Sequence, residues 1–395
     1  MSVVLDIVLA LVLLGYLVQG YRLGFVRSIG AIAGLIAGGI AAALLSPLIG
    51  SLVPDETGRV VATIVAAVVL VLLGHAIGSG IGAAIGGVLR RSPLGPVDRL
   101  LGAAAQLVVS ALAISMIAAL AVSLGVPFVA QPVASSVVLR AIDVVTPAPV
   151  DRALAQLRST VLSSGIPQLG IALGTGGGGD GDTSVPGVAQ TAGLRTAVES
   201  VVKITGRAPA CNQEQSGSGF VVAGDRVLTN AHVVSGVTNP VVLVPNGQAL
   251  SGRVTYFDPK RDLAVITVKG LTAKPLALAA TPTVGEQGVV AGYPFGGPFD
   301  EGGARVVQTG EVSLPDVVGS GRTARQIAAI AADVEQGNSG GPLLSPAGRV
   351  LGIVFAKSTT EHDLGYAMTR GEFGSVVARA PSLTAAVSTG TCSTD

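Results

Sequence analysis

The first third of the chain consists of long apolar runs with few charged residues between them. Four runs, at residues 3–19, 29–53, 60–82 and 101–126, approach or exceed the roughly 20 residues that a helix needs to cross the hydrocarbon core of a bilayer. No basic segment precedes the first run, and Tyr21 and Arg22 follow it where a signal peptide would have small residues for cleavage. The pattern therefore predicts an all-α module of four retained transmembrane helices over residues 1–130.

The pattern changes by about residue 197 to short Val- and Ile-rich runs separated by Gly, Pro and Asn, such as SGSGFVVAG, RVLTNAHVV, LAVITV and GRVLGIVFAKS. Many short strands at near-regular spacing are typical of an all-β barrel or sandwich. We therefore predict an all-β domain over residues 189–395. Its chemistry should lie on the loops, and the segment GYPFGGPFDEGG is interpreted as one loop near the site.

Residues 131–188 are predicted to connect the two halves. Val150, Leu154, Leu157 and Val161 recur at helical spacing, which predicts a short amphipathic helix. The segment LGTGGGGDGDTSVPG follows and has too little apolar surface to pack, so we expect a flexible linker there.

The loops between the apolar runs differ in charge, and positively charged short loops stay in the cytoplasm. The first and third loops are rich in arginine, whereas the second pairs one arginine with two acidic residues. The residues concerned are Arg22, Arg27, Arg90, Arg91 and Arg99 in the first set, and Arg59, Asp55 and Glu56 in the second. We therefore expect a multi-pass protein of the plasma (inner) membrane, with both termini outside and everything after residue 130 facing the periplasm or cell exterior.

Two ionisable residues lie in the apolar half. Asp6 and His75 could form a proton or ion path, because ionisable groups at membrane depth are costly and tend to be functional. The alternative, which we favour, is structural: Asp6 lies at the headgroup level and supports its helix N-terminus, while His75 is neutral and faces another helix.

Glycines recur at small-xxx-small spacing in IAGLIAGGIAAALL and IGSGIGAAIGG, which lets helices approach closely. The hydropathy layout and the segment LDIVLALVLLGYLVQGYRLGFVRSIG resemble the CvpA (colicin V production) family, a four-helix membrane module. The resemblance implies no catalytic residue in this half.

Ser339 lies between glycines in the segment DVEQGNSGG. A serine hydroxyl becomes a good nucleophile when an imidazole takes its proton and a carboxylate orients that imidazole. His232 in LTNAHVV follows a predicted strand and Asp262 in YFDPKRDLAVITV precedes one. Their order with Ser339 is the His, Asp, Ser order of the chymotrypsin class. We predict this catalytic triad, with Asp258 as the alternative carboxylate.

The glycines around Ser339 have a chemical purpose in this interpretation. An acyl-transfer site holds the oxyanion with backbone N–H groups, so the chain must turn tightly with no side chain in the way. We predict that Gly337 and Ser339 donate these N–H groups and form the oxyanion hole.

The blocks TNAHVV, DPKRDLAV and GNSGGPLL resemble the three catalytic blocks of trypsin-like and HtrA-type serine proteases, over about residues 197–380. The resemblance implies a chymotrypsin-like double β-barrel, with His232 as general base and then acid, Asp262 orienting it and Ser339 as nucleophile. Asn338 stands where many animal trypsins have an Asp that pairs with a new N-terminus, so activation by zymogen cleavage is not implied. Asp333 stands where trypsin-like enzymes have the base of the S1 pocket, which would favour a basic P1 residue.

A CvpA-like module joined to such a protease is similar to actinobacterial membrane-bound serine proteases with a role in acid resistance. This resemblance implies a periplasmic endopeptidase that acts in envelope or acid stress. Its partners would be membrane lipid and protein substrates of the cell envelope, with peptidoglycan-modifying enzymes as one substrate class.

The sequence has two alternative interpretations of its function. An HtrA protease-chaperone usually carries a PDZ domain, and too little chain follows Ser339 to hold one. A CvpA-like channel or scaffold with a pseudoprotease sensor domain is the non-enzymatic alternative, against which the intact triad argues.

The chain has two cysteines, Cys211 and Cys392, both in the half expected outside the cytoplasm. An even number in an oxidising compartment predicts a disulfide, and two free thiols are the alternative.

Charge and ligand spacing exclude two further classes. Charged residues make up 12% of the chain and the formal net charge is +1, with no dense basic patch, so we expect no nucleic-acid partner. Three widely separated histidines and two distant cysteines match no usual zinc spacing, so we expect neither a metal nor another cofactor.

Overall fold

The structure is a computed structural model of the chain. It describes residues 2–51, 56–89, 93–123, 132–133, 136–147, 149–150, 153–154, 167–169, 184–188, 190–208, 213–361 and 363–390. Two compact units are present, one formed by Val3–Ser115 and the other by Met116–Asp395 with Met1–Ser2.

Four long helices coincide with the predicted spans. They are α1 (Ser2–Leu23), α2 (Phe25–Ser51), α3 (Glu56–Leu89) and α4 (Gly95–Ser123). Among the described residues, three helical segments are long and apolar enough to cross a membrane, and these are Val3–Leu23, Phe25–Ala42 and Gly95–Ala118. The apolar part of α3 is the shorter Leu72–Gly87. The helical, apolar character of this half is confirmed, whereas the fourth span stays a prediction.

Glycines bring α2 and α3 into direct backbone contact. A β-carbon at Gly34 would overlap the carbonyl oxygen of Gly74, and a β-carbon at Gly74 would overlap that of Gly34. Gly30 and Gly78 face each other in the same way, one turn further along. The small-xxx-small spacing thus produces the close approach that it predicts.

Ionisable side chains in the helical unit occupy different environments. Asp98, in the first turn of α4, is buried and accepts a hydrogen bond of 3.1 Å from the backbone N–H of Val26. It therefore satisfies an otherwise unpaired donor at the start of α2. Asp6 is partly buried and His75 is exposed.

The connection contains more regular structure than its composition predicts. A helix, α5 (Val137–Val145), begins at Ser136, whose side chain accepts a hydrogen bond from the Leu139 N–H. The predicted amphipathic helix is partly visible, since Val150 and Leu154 are helical while Leu157 and Val161 lie outside the described residues. Gln168–Leu169 forms a short strand, β1, parallel to β12 (Val350–Ser358).

Six strands of the second unit form a closed barrel in the order β2-β3-β4-β7-β6-β5. Their bounds are β2 (Val201–Ala208), β3 (Gln213–Ala223), β4 (Arg226–Thr229), β5 (Val241–Leu243), β6 (Ala249–Asp258) and β7 (Leu263–Val268). Its interior is packed with aliphatic side chains such as Val202, Val227 and Ile266. Branched side chains of this kind suit a pleated, buried surface.

The remaining strands form a seven-stranded sheet in the order β1-β12-β11-β8-β9-β10-β13. The strands not yet given are β8 (Gln287–Gly292), β9 (Asp300–Pro315), β10 (Arg322–Ala331), β11 (Pro342–Leu344) and β13 (Leu364–Thr369). β12 also pairs with β13, so the sheet curls back on itself. One hydrophobic cluster joins both strand systems, with Phe220 and Leu263 from the barrel packed among Phe355 and Tyr366 of the sheet. His232 follows β4 and Asp262 precedes β7 in the barrel, whereas Ser339 lies between β10 and β11 of the sheet.

Helices flank this β-rich region. α6 (Ala192–Val198) precedes β2 and places Leu194 in the joint core. α7 (Ala231–Val234) is a single turn after β4, and α8 (Arg370–Arg379) follows β13 and buries Phe373. The prediction of a β-rich second half is confirmed.

Candidate active site

His232 and Asp262 are held together by three short contacts. The Nδ1 atom of His232 lies 3.0 Å from Oδ1 and 2.9 Å from Oδ2 of Asp262. The backbone N–H of His232 donates to the same Oδ1 at 2.9 Å. Both side chains are buried, at 6% and 3% exposed. The carboxylate therefore fixes both the ring and the main chain of the histidine, as a general base requires.

Local structure places these two residues. His232 lies in α7, the single turn that follows β4, and Asp262 immediately precedes β7. β4 and β7 are paired, with Thr229 opposite Ala264, so the ends of these strands bring the two side chains together. Asp262 has a φ of 57°, a left-handed conformation that is uncommon for any residue except glycine and is tolerated best by Asp and Asn.

Asn230 supports the same geometry. Its Nδ2 donates a hydrogen bond of 2.9 Å to the backbone carbonyl of Asp262, and the side chain is fully buried. The amide thereby holds the left-handed Asp262 residue from the segment that leads into His232.

Ser339 lies on a turn that requires glycine at the positions on either side of Asn338 and Ser339. Gly337 and Gly340 have φ values of 95° and 81°, and a β-carbon at Gly340 would overlap the Ser218 carbonyl and crowd the Asn230 amide. The turn therefore packs directly against the strand ends that carry His232. The Ser339 hydroxyl is buried and makes no hydrogen bond with any described residue, His232 included. In unliganded sites the contact between nucleophile and base is often long and tightens when substrate binds.

The peptide that precedes Gly337 has a defined orientation. Phe295, in a tight turn at Pro294–Gly296, donates its backbone N–H to the Gln336 carbonyl. The C=O and N–H of a trans peptide point in opposite directions, so the Gly337 N–H points away from Phe295. The loop GYPFGGPFDEGG therefore lies beside the turn that carries Ser339, as the sequence predicts.

Asp258 makes a different set of contacts. Its Oδ1 accepts hydrogen bonds from the backbone N–H groups of Lys260 and Arg261 at 3.0 and 3.1 Å, and its Oδ2 accepts one from the Tyr256 hydroxyl at 3.2 Å. These contacts cap a turn. Burial, together with the Asp258 charge, raises the pKa of Tyr256, so this phenol remains a donor. The structure brings His232 together with Asp262 rather than with Asp258.

The remaining predicted site residues are Asp333 and the two cysteines. Asp333 is exposed on the segment before Ser339. Cys211 and Cys392 lie outside the described residues, so the disulfide stays a prediction.

A cavity of about 120 Å³ lies beside the acid of the pair. It is lined by Asp262 and Phe355, by residues of the β9–β10 turn and by residues of the connecting segment; the full set is Pro167, Leu169, Asp262, Leu314, Pro315, Asp316, Val317, Arg325 and Phe355. Residues from three distant parts of the sequence therefore meet next to the candidate triad.

Two polar residues of this site, Asn230 and Ser218, are not among those that the sequence predicts. Asn230 lies in the block TNAHVV, and Ser218 lies in SGSGFVVAG, whose pattern predicts only a strand. Asn230 offers a signal in the sequence, because it is a polar residue at the end of the apolar run RVL and next to the histidine block. Ser218 offers none, since its partner Gly337 is 119 positions away.

Comparisons with known proteins match each half of the chain to a family. Residues 217–353 match the family of the trypsin-like peptidase domain, and residues 5–147 match that of the colicin V production protein. The serine protease Rv3671c of Mycobacterium tuberculosis is 34% identical over 309 residues, which cover 78% of this chain and 77% of that protein. The chain belongs to the Rv3671c family of serine proteases. Both resemblances drawn from the sequence are thereby confirmed.

Two further comparisons cover smaller shares of this Rv3671c-family chain. A crystal structure of the Rv3671c protease, in its active form, shares 35% identity and covers 57% of this chain and 100% of that one, with a TM-score of 0.49. The putative serine protease HhoB of Synechocystis is 32% identical over 170 residues, or 40% of this chain and 39% of that protein. This Rv3671c-family protein is a trypsin-like serine endopeptidase with a CvpA region at its N-terminal side.

Proposed function

We propose that Ser339 is the nucleophile of this endopeptidase. His232 takes the Ser339 proton during attack on the scissile carbonyl and then passes it to the leaving amine, while Asp262 steadies the imidazolium through Nδ1. The N–H groups of Gly337 and Ser339 receive the oxyanion. The observation that carries this assignment is the buried contact between His232 and Asp262, at 2.9 Å, beside the glycine turn of Ser339.

The proposed molecule is tethered to the plasma membrane by four helices, with the protease in the periplasm. The arginine asymmetry of the loops and the three apolar helical segments among the described residues support this arrangement. The closed six-stranded barrel, together with the β12–β13 pairing of the second sheet, supports a chymotrypsin-like double barrel.

Its proposed substrates are proteins of the cell envelope, including peptidoglycan-modifying enzymes, and its proposed setting is envelope or acid stress. Similarity to a membrane-associated protease family supports this class of substrate. The comparison that tests it is proteomics of envelope proteins from cells with the natural chain and from cells with Ser339→Ala. Substrates should accumulate uncleaved in the variant.

Reaction with a fluorophosphonate probe tests the nucleophile directly. The full-length chain in detergent should be labelled, and Ser339→Ala should lose both labelling and peptide hydrolysis. Ser375→Ala, which removes an exposed hydroxyl on α8, is the matched control and should behave like the natural chain. Labelling that survives Ser339→Ala would place the nucleophile elsewhere.

A further inference from the structure

Ser218 lies on β3 of the barrel, and each of its polar groups is hydrogen-bonded to a residue near the candidate triad. Its hydroxyl donates to the Gly337 carbonyl at 2.6 Å and accepts from the Tyr293 N–H at 2.9 Å. Its backbone N–H donates to the Ser339 carbonyl at 2.8 Å, and its own carbonyl accepts from the Thr229 hydroxyl at 2.7 Å. The side chain is completely buried.

These bonds constrain the turn that carries the oxyanion donors. The Gln336 carbonyl is bound by the Phe295 N–H and the next carbonyl, of Gly337, is bound by the Ser218 hydroxyl. The first bond orients the peptide plane that contains the Gly337 N–H, and the second fixes the plane that follows, so the backbone of Gly337 is held on both sides of its Cα. Glycine reaches a φ of 95° as readily as a negative one, so at Gly337 these hydrogen bonds, and not a backbone preference, hold the turn in one conformation.

We propose that Ser218 is a positioning residue that preorganises the oxyanion hole. The proposal rests on the assignment of Gly337 and Ser339 as its donors. Loss of the Ser218 hydroxyl leaves the buried Gly337 carbonyl and Tyr293 N–H without their partner, so the turn can rotate its N–H away from the developing negative charge. The effect should therefore fall on the transition state and not on the binding of substrate.

The test compares Ser218→Ala with Ser216→Ala in the full-length chain in detergent. Ser216 lies on the same face of β3, and its hydroxyl has no hydrogen-bond partner within the described part of the chain, so it is a matched control. We expect Ser218→Ala to lower kcat by about 10- to 100-fold with little change in KM, below the loss of about 100- to 1,000-fold for removal of an oxyanion donor itself. Affinity for a peptide aldehyde, which forms a tetrahedral adduct, should fall in parallel.

Equal aldehyde affinity in Ser218→Ala and Ser216→Ala would overturn the proposal, as would a change confined to KM. Ser218→Cys keeps a weaker donor at the same place and should be intermediate, which separates loss of the hydrogen bond from loss of the fold. If Ser339→Ala is inactive while Ser218→Ala is normal, only the positioning role fails. If Ser339→Ala remains active, the proposed function itself fails.

A separate observation concerns the connecting segment. The Lys357 N–H donates to the Pro167 carbonyl at 3.1 Å and the Thr359 N–H donates to the Leu169 carbonyl at 3.3 Å. Leu169 also packs against the joint core. With Pro167 it forms one wall of the cavity that contains Asp262 and Phe355.

The strand covered by this segment, β12, is hydrogen-bonded to the turn that carries Ser339. The Gly340 N–H donates to the Val354 carbonyl at 2.8 Å, and the Val354 N–H donates to the Gly341 carbonyl at 2.9 Å. Val354 and Lys357 belong to the same strand, β12. An extended polypeptide that adds to a sheet edge uses the backbone groups of that edge. The N–H of Lys357 is already engaged by the connecting segment.

We infer that residues 167–169 act as a strap that competes with polypeptide substrates for the edge of β12. This inference also rests on the proposed site at Ser339. The strap runs parallel to β12 and is held by two backbone hydrogen bonds and one apolar side chain, so it can be displaced.

Leu169→Asp tests the strap in the full-length chain in detergent, because a carboxylate is costly in the apolar position of Leu169. We expect kcat/KM for a peptide of at least six residues to rise several-fold, with unchanged hydrolysis of a single-residue ester that does not reach the β12 edge. Val185→Asp, at an exposed apolar residue of the same connection, should change neither rate. No change in either rate, a change shared by both substrates or a fall in peptide hydrolysis would overturn the inference. If ester hydrolysis in the natural chain does not depend on Ser339, the failure belongs to the proposed function.

Discussion

At the residue scale, the choice between two carboxylates is decided by what each one contacts. Asp262 accepts from both the ring and the backbone of His232, whereas Asp258 caps the turn at Lys260 and Arg261. Asp262→Asn leaves the shape intact but favours the wrong tautomer of the imidazole, so we expect kcat to fall by about 10,000-fold. Asp258→Asn should keep most of the activity, and steady-state hydrolysis of a peptide by both variants measures the difference.

The thermal unfolding temperature of both variants is the control. Asp258→Asn weakens the cap of a turn, whereas Asp262→Asn replaces a buried side chain with one of the same size, so neither variant should unfold. A larger loss of kcat in Asp258→Asn than in Asp262→Asn would contradict the assignment.

The sequence allows this prediction because each candidate lies in a short local block. It does not reveal the role of Ser218, whose hydrogen bond to Gly337 spans 119 positions.

At the scale of elements, α2 and α3 depend on glycine for their contact. Gly74 faces the backbone of α2, so a methyl group there must push the helices apart. Gly80, on the same helix, has no atom within 4 Å of the place where a β-carbon would stand. Alanine is favoured over glycine in a helix by about 1 kcal/mol, so Gly80→Ala should be neutral or stabilising. Gly74→Ala should lower the thermal stability of the detergent-solubilised chain despite the same gain.

Size-exclusion chromatography after heating measures this difference as the temperature at which the monodisperse peak is lost. Equal temperatures for the two variants would show that the contact between α2 and α3 contributes nothing to thermal stability.

The sequence predicts these elements well, because helical runs and short strands repeat with a clear period. It does not predict β1, since a strand of two residues has no period and exists only because the edge of β12 is available.

At the scale of the whole molecule, the loop charges predict its orientation in the membrane. A phosphatase reporter fused after residue 130 should be active, because this enzyme requires export, and one fused near Arg91 should be inactive. Immunoblots of both fusions control for expression. The reverse pattern of activity would place the protease in the cytoplasm and would contradict both the proposed location and the proposed disulfide.

The C-terminal tail of the protease half contacts the barrel formed by the first strands of that half. The tail is bound to the barrel through Thr389, whose hydroxyl donates to the Val237 carbonyl at 3.0 Å and whose carbonyl accepts from the Gly236 N–H at 3.2 Å. Val237 in turn packs against Gly206 of β2, a few residues before Cys211. Thr389 thus lies beside Val237, which packs against β2. In the sequence Cys392 follows Thr389 by three positions and Cys211 follows the end of β2 by three, and this supports the prediction of a disulfide between them.

A bridge across so long a loop stabilises the fold by up to about 5 kcal/mol in the chain-entropy model. By pinning the tail it should also limit motion of the loops that carry His232 and Ser339. Reductant, or Cys211→Ser, should therefore lower both the thermal unfolding temperature and peptide turnover, and reductant should have no further effect on the double Cys→Ser variant. Titration of thiols under denaturing, non-reducing conditions is the direct measurement. Two reactive thiols in protein isolated from the periplasm would show that the bridge does not form, because a disulfide between Cys211 and Cys392 leaves none.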